Sequence, residues 1–188
     1  KDDTEIFSPQ ELVERFSLEA VNHSAAKFDI TKCRWVNQQH IIALPPEEFA
    51  AKARPFCLQA GLPDSGILNE AIATVQTKVQ TLAEVPDKIR FFFHLSMDPE
   101  ALAKVQPEAV ELLSKLADRL EREPVWDGHE LIGVLKAFAK ENGVKMGAVM
   151  FPARVALTGL SGGPDLSAVF SLLGKEESLK RIRAFSLN

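Results

Sequence analysis

Four histidines, two cysteines, a few paired carboxylates and one glycine-rich turn are where this chain has side chains suited to chemistry. His23, His40, His94 and His129 fall at unrelated spacings, and Cys33 and Cys57 are too few for a disulfide scaffold or a four-ligand zinc site. Histidines scattered in this way are expected as partly buried structural residues, and the thiols as buried or surface groups in a reducing compartment. Glu47-Glu48 and Glu176-Glu177 are expected in the first turns of helices. Negative charge complements the backbone dipole there, so acid–base work is not needed to explain them. Phe91-Phe92-Phe93 follows a proline and is expected as a core plug, with a stacking platform for bases as the other use of three rings. Leu160-Ser161-Gly162-Gly163-Pro164-Asp165 has the composition of a turn between helices, with phosphate binding at the next helix N-terminus as the alternative. The phosphate-cradling loop, the dinucleotide glycine fingerprint, the paired-histidine zinc helix and the Gly-x-Ser-x-Gly elbow are missing from the sequence. No catalytic residue, metal ligand or cofactor-binding residue is assigned.

The elements that must position these residues are helical. Apolar residues recur at three- and four-residue spacing along most of the chain, without alternating β-branched stretches bounded by hairpin dipeptides, so the expected fold class is all-α. Ser8-Pro9-Gln10-Glu11 supplies a capping hydroxyl, a proline at the first helical position and a glutamate that reaches back. A second helix is expected from Asp29 and a third from Pro46 to Ala60, stopped by Gly61. One long helix is expected from Asp64 through Ile72, Val79 and Leu82 until Pro86 interrupts it. Further helices are expected from Asp98 or Pro99, from Pro107, after Trp126-Asp127, after Lys145 up to Thr158-Gly159, from Leu166, and from Lys175 to Leu187. So many helices in 188 residues imply two neighbouring cores with a soft boundary near 94–107.

Composition narrows the class of function. The chain has 46% hydrophobic and 26% charged residues, as a globular protein does. No apolar run approaches the ~20 residues of a membrane crossing and the opening residues are acidic, so a soluble, cytoplasmic protein is expected. The first residue, Lys1, fits a piece of something longer. The net charge of −4 argues against a surface wholly committed to nucleic acid, but it hides a gradient. Residues 1–130 carry 14 basic and 22 acidic side chains, whereas residues 131–188 carry 8 and 4. A polyanion is therefore expected to be steered to the C-terminal third, with chance drift of a short segment to +4 as the alternative.

Five strings in order along the chain, FDITKCRWVN (28–37), TLAEVPDK (81–88), PARVALTG (152–159), GPDL (163–166) and LLGKE (172–176), carry a resemblance that covers nearly its whole length. It resembles the C-terminal half of bacterial-type glutamyl-tRNA synthetases, in the class I aminoacyl-tRNA synthetase family. The family's His-Ile-Gly-His and Lys-Met-Ser-Lys-Ser signatures have no counterpart here. The resemblance therefore implies a fragment without ligase chemistry or a cofactor of its own, ATP and magnesium serving the parent enzyme's catalytic domain. It implies the end of a stem-contact region over 1–27 and two helical-bundle anticodon-binding subdomains over 28–100 and 101–188. The implied partner is tRNA(Glu), with tRNA(Gln) left open, and neither DNA nor membrane; a monomer is expected.

An anticodon is a single-stranded loop whose bases can be splayed, stacked and read on their edges, and the U-C ending of glutamate anticodons asks for donors. Arg154, after Pro152, offers a fork with two parallel hydrogen bonds, or else is a surface arginine paired with an acid. Lys78 matches a basic family position facing the last anticodon base. As lysine it keeps the charge but loses the planar fork, which weakens the separation of C from G. Lys32 and Trp35 match positions near the inner corner of the tRNA, Trp35 having a core role as its alternative. Pro164 and Leu166 match the loop that packs on the anticodon bases, with backbone groups at Gly163 and Asp165 available for hydrogen bonds. Lys175, Lys180, Arg181 and Arg183 are expected to attract phosphates. Two readings without ligase parentage also stand at this level: a helical protein-interaction module using the acidic first two thirds, and a stand-alone RNA-binding paralogue.

Overall fold

Side-chain caps fix where the first helices begin. In the computed structural model, which describes residues 5–21 and 27–187, α1 (Pro9–Arg15) opens on a reciprocal box. The Ser8 hydroxyl accepts from the Glu11 N–H at 3.2 Å, and Glu11 Oε2 accepts from the Ser8 N–H at 2.7 Å. The Asp29 carboxylate accepts from the N–H groups of Thr31 and Lys32 to start α2 (Ile30–Ala43). Such a cap contributes ~1 kcal/mol to its helix. Pro46 opens α3 (Pro46–Gln59), with Glu47 and Glu48 in its first turn. His23 lies outside the described residues. Helix α1 buries no residue and α2 buries Ile41 alone, leaving Leu12, Val13, Phe16 and Phe28 exposed.

The long helix expected from Asp64 to Pro86 does not form. Helix α4 (Leu68–Ala73) stops after six residues, a 3-10 turn covers Gln76–Lys78, and Val79 and Thr81 are extended. Local chemistry explains the break. The Thr74 hydroxyl donates back to the Ala71 carbonyl at 2.6 Å, and the Gln76 amide donates to the Ile41 and Leu44 carbonyls at 2.8 Å, tying the chain to the end of α2. Thr81-Leu82-Ala83-Glu84 is itself a start signal. Glu84 accepts from the Gln80 N–H at 3.2 Å and from the Thr81 hydroxyl at 2.9 Å. Pro86 then stands in the first turn of α5 (Val85–Ile89), where its missing N–H costs nothing, so it begins a helix rather than ending one. Phe91 and Phe92 are buried, as a core plug requires.

Short connections lead into the second set of helices. Asp98 caps α6 (Pro99–Leu102), accepting from the Glu100 N–H. Helix α7 (Glu108–Glu121) buries Leu113, Leu116 and Leu120, and α8 (Gly128–Glu141), capped by Asp127, buries Leu131, Leu135 and Phe138. Helix α9 (Gly147–Thr158) ends on left-handed Gly159, and α10 (Leu166–Ala184) is interrupted by Gly174, whose φ of 71° and ψ of 174° are not helical. Helix α3 packs against α4 and α5, and α10 packs against α7, α8 and α9. Helices α8 and α10 approach so closely that a Cβ on Gly128 would lie 1.9 Å from the Ser167 carbonyl oxygen. The buried apolar side chains from Ile41 to Phe185 form one continuous cluster. No strand occurs among the described residues.

Arg181 corrects the sequence expectation most sharply. It is 6% exposed, with its Nη1 donating to the Phe91 and Leu157 carbonyls at 2.8 Å each and its Nε to Glu177 Oε1 at 2.8 Å. A guanidinium used in this way ties α10 to α9 and to the Phe91 turn and is too buried to present its charge to a phosphate. The Arg181 guanidinium, first among its neighbours, holds the Glu177 carboxyl below its ordinary value. That link is fully formed above the usual carboxylate range and is lost as the pH falls through the lowered value. Of the two thiols, Cys33 is exposed and Cys57 is buried, with burial pushing the Cys57 pKa up against the weaker pull of Arg54.

Candidate nucleic-acid interface

Three chain segments meet where the early helices touch the later ones. Asp98 donates its backbone N–H to the Gly159 carbonyl at 2.9 Å, which sets the end of α9 against the start of α6. Gly159 makes the approach possible. Its φ of 73° suits glycine, and a Cβ there would stand 2.0 Å from the Ser96 carbonyl oxygen. The turn after Gly159 carries Gly163, Pro164 and Asp165 into α10. Arg154, one turn before the end of α9, donates from Nη1 to the Pro164 carbonyl at 2.6 Å and so pins this loop to its helix. From the other side comes Lys78, at the end of its 3-10 turn, with Nζ 3.7 Å from Asp165 Oδ1.

Burial pulls the Arg154 pKa down and the Asp165 carboxylate holds it up, and a guanidinium remains charged under such opposing influences. With one N–H engaged on Pro164, the fork keeps other donors. Lys78 keeps 40% of its side chain exposed. A cleft of about 310 Å³ opens on the same junction, lined by Arg90, His94, Asp98, Thr158 and Leu160 among others. The geometry is thus two cations and one carboxylate, Lys78 on a short turn, Arg154 in α9 and Asp165 at the start of α10, on the same side of the fold junction as this cleft but outside its lining.

The structure brings Lys78, Arg154 and Pro164 together and adds Asp165. Gly163 is half-buried beside them, and Pro164 and Leu166 are buried, Leu166 to 3% exposure. Lys32 and Trp35 stand apart on α2. Lys32 pairs with Glu5, and Trp35 is 38% exposed. The link from α2 to the junction runs through Gln38, one turn beyond Trp35, whose amide donates to the Thr77 carbonyl at 3.4 Å.

The basic end of the chain is used differently from the expectation of a phosphate-attracting tail. Lys175 donates to the Glu123 carbonyl at 2.8 Å and lies 5.9 Å from the Trp126 ring centre. Arg183 bridges Asp118 and Glu121, and Lys180 pairs with Glu177. Lys175 and Arg183 are engaged by neighbours within the fold, while Lys180 stays largely solvated beside Glu177. Lys136, Lys140 and Lys145 are exposed on and just after α8 with no ion pair to a described residue. With Lys180 they carry the solvated part of the positive gradient. The i, i+4 spacing of 136 and 140 is visible in the sequence; the approach of the Asp165 side chain to Lys78 is not, because only the fold brings positions 78 and 165 together.

Residues 48–186 match the model of a family described as the anticodon binding domain. The chain belongs to the anticodon binding domain family. The match takes in Lys78, Arg154, Gly163, Pro164 and Leu166 and begins after Lys32 and Trp35. Among relatives of this anticodon binding domain, the glutamate–tRNA ligase of Akkermansia muciniphila is 87% identical over 188 residues, which is 100% of this chain and 43% of that protein. A glutamate–tRNA ligase of Thermus thermophilus is 36% identical over 186 residues, 96% of this chain and 40% of that protein. A crystal structure of a glutamate tRNA ligase from Elizabethkingia meningosepticum in complex with its amino acid superposes with a TM-score of 0.81 at 26% identity. It covers 96% of this chain and 37% of that one. The domain thus spans about two fifths of the length of the relatives it matches. Among the described residues no helix is long and apolar enough to cross a membrane, and no group of three or more His, Cys, Asp or Glu is arranged to hold a metal ion.

Proposed function

We propose that this anticodon binding domain recognises the anticodon of tRNA(Glu) as part of a glutamate–tRNA ligase, a protein that joins glutamate to tRNA with ATP in the cytoplasm. The observation that carries the reading is the convergence of Lys78 and Arg154, far apart in sequence, on one exposed junction around Asp165. Cytosine offers N3 and O2 as acceptors and uracil offers two carbonyls, so an ammonium and a guanidinium fixed side by side match the U-C ending of glutamate anticodons. Lys78 sits on a short connection and Arg154 near the end of α9, beside the loop it pins. The Asp98–Gly159 bond and the buried Arg181 hold the two sets of helices in register, so the spacing of the donors is set before RNA arrives. Lys136, Lys140 and Lys145 supply phosphate attraction, which positions the loop without reading it. ATP and magnesium belong, in this reading, to a catalytic region whose signature motifs these 188 residues lack. The domain acts as a monomer.

Titration of glutamate and glutamine anticodon hairpins against the chain by fluorescence anisotropy tests the proposal. The glutamate hairpin is expected to bind more tightly, with affinity falling steeply between about 50 and 200 mM salt as counterions are released from phosphates. Equal affinity for both hairpins at every salt concentration, or affinity that salt does not change, overturns it.

A further inference from the structure

Among the described residues, helices open on aspartate at four places, and one of the four behaves differently. Asp29, Asp98 and Asp127 each turn the carboxylate back to accept N–H groups from their own helix. Asp165 does not. Its backbone carbonyl accepts from Val169 N–H at 3.1 Å, but the side chain makes no capping bond. It stays 79% exposed, with Oδ1 facing the Lys78 ammonium at 3.7 Å. That distance is longer than the roughly 2.7–2.9 Å of a tight charge-assisted bond, so both oxygens retain acceptor capacity. The neighbouring backbone acceptor, the Pro164 carbonyl, is already engaged by Arg154. In the same loop, Gly162 and Gly163 have no atom within 4 Å of where a Cβ would stand, so the turn leading to Asp165 is open at those two positions.

The chemistry of the bases gives this acceptor a use. Lysine and arginine only donate, and a set of donors satisfies the O4 and O2 of uracil as well as the N3 and O2 of cytosine. The two pyrimidines differ at N3, an acceptor in cytosine and an N–H donor in uracil, and at the neighbouring exocyclic position, an amine that donates in cytosine and a carbonyl that accepts in uracil; the second difference is the one a carboxylate reads. A carboxylate is repelled by that carbonyl and bonded by that amine.

We infer that Asp165 is a specificity-determining residue of this domain, its carboxylate accepting from the exocyclic amine of an unstacked anticodon cytosine while Lys78 and Arg154 donate to the remaining acceptors. The inference rests on the anticodon-recognition reading above and adds to its donors the group that rejects uracil.

The test compares wild-type chain, Asp165→Ala and Asp165→Asn against two anticodon hairpins that differ by a cytosine-to-uracil change at the last anticodon position, by anisotropy at fixed salt. Circular dichroism checks folding; the side chain is exposed and caps nothing, so the helices are unaffected by its loss. Wild type is expected to prefer the cytosine hairpin by roughly ten-fold or more, and Asp165→Ala to bring the two within roughly two-fold of each other. Asp165→Asn, whose amide presents either a donor or an acceptor, is expected to relax the preference as well. If Asp165 is merely a counter-ion to Lys78 and Arg154, both substitutions raise affinity for the two hairpins by the same factor and leave their ratio unchanged, which overturns the inference. A wild-type ratio near one also overturns it, while hairpin binding in itself leaves the anticodon reading intact. Failure of wild type to bind either hairpin removes that reading and this inference together.

Discussion

Gly159→Ala is expected to destabilise the fold by roughly 3–5 kcal/mol and to lower the melting midpoint by about 10 °C. Two costs add. A left-handed backbone with a Cβ costs about 1–2 kcal/mol. The new methyl also falls 2.0 Å from the Ser96 carbonyl oxygen, which is backbone and cannot rotate aside. Relieving that clash draws Gly159 away from Asp98 and weakens the 2.9 Å bond between them, worth about 1 kcal/mol. Gly143→Ala is the matching control. Gly143 has a φ of 66° but open space where the methyl would stand, so only the conformational cost applies. Thermal melts of the two variants therefore separate the close approach from the left-handed turn, and equal losses in both contradict the junction described here. Because the Arg154 loop hangs from Gly159, hairpin binding is expected to weaken in the first variant and not in the second.

Arg154→Ala is expected to weaken binding of the glutamate hairpin by about 1–3 kcal/mol, roughly 5- to 150-fold. In the proposed reading the side chain has two tasks, and the substitution removes both: one N–H holds the Pro164 carbonyl at 2.6 Å, and the others are left for a base edge. Arg154→Lys separates them. An ammonium retains a charge near Asp165 and can reach the Pro164 carbonyl, but it lacks the planar fork, so loop position is kept while base selection is lost. Anisotropy against hairpins altered one base at a time is the measurement. A base-reading arginine gives lysine and alanine variants that both lose selectivity, with lysine retaining more of the overall affinity. Wild-type selectivity in Arg154→Lys would assign the side chain to loop tethering alone.

Much of the helical framework is legible from local signals. The Ser8 box, the Asp29 and Asp127 caps, the Gly159 stop and the inward stripes of α7 and α8 all follow from rules that act within a few residues, and the structure keeps them. The stretch from Asp64 to Pro86 misleads because its apolar spacing suits a helix, while Thr74, Gln76 and Thr81 spend their polar groups on other partners. Two of those partners, the Ile41 and Leu44 carbonyls, lie at the end of a different helix and are invisible to a local reading. The signal that betrays the break is Thr81-x-x-Glu84, a start motif inside an apparent helix. Lys78 consequently projects from a short turn, which is what lets it reach Asp165.

Charge is harder to read than hydrophobicity. Arg181 and Lys180 are adjacent and equivalent in composition, yet one is buried among carbonyls and the other solvated. Only packing decides between them. The same holds for Asp165, whose type and position announce a helix cap and whose side chain turns elsewhere. Base-reading groups drawn from different segments acquire their meaning from the fold that assembles them.

A double-mutant cycle on Lys78 and Arg154, read as hairpin affinity, addresses that assembly. Lys78→Ala, Arg154→Ala and the double variant are each titrated with the glutamate anticodon hairpin at one salt concentration. Two donors gripping one RNA loop around a shared carboxylate are expected to show a coupling of about 0.5–3 kcal/mol. Losses that add to within about 0.3 kcal/mol would mean that the two cations act independently, contradicting a single recognition site at this junction.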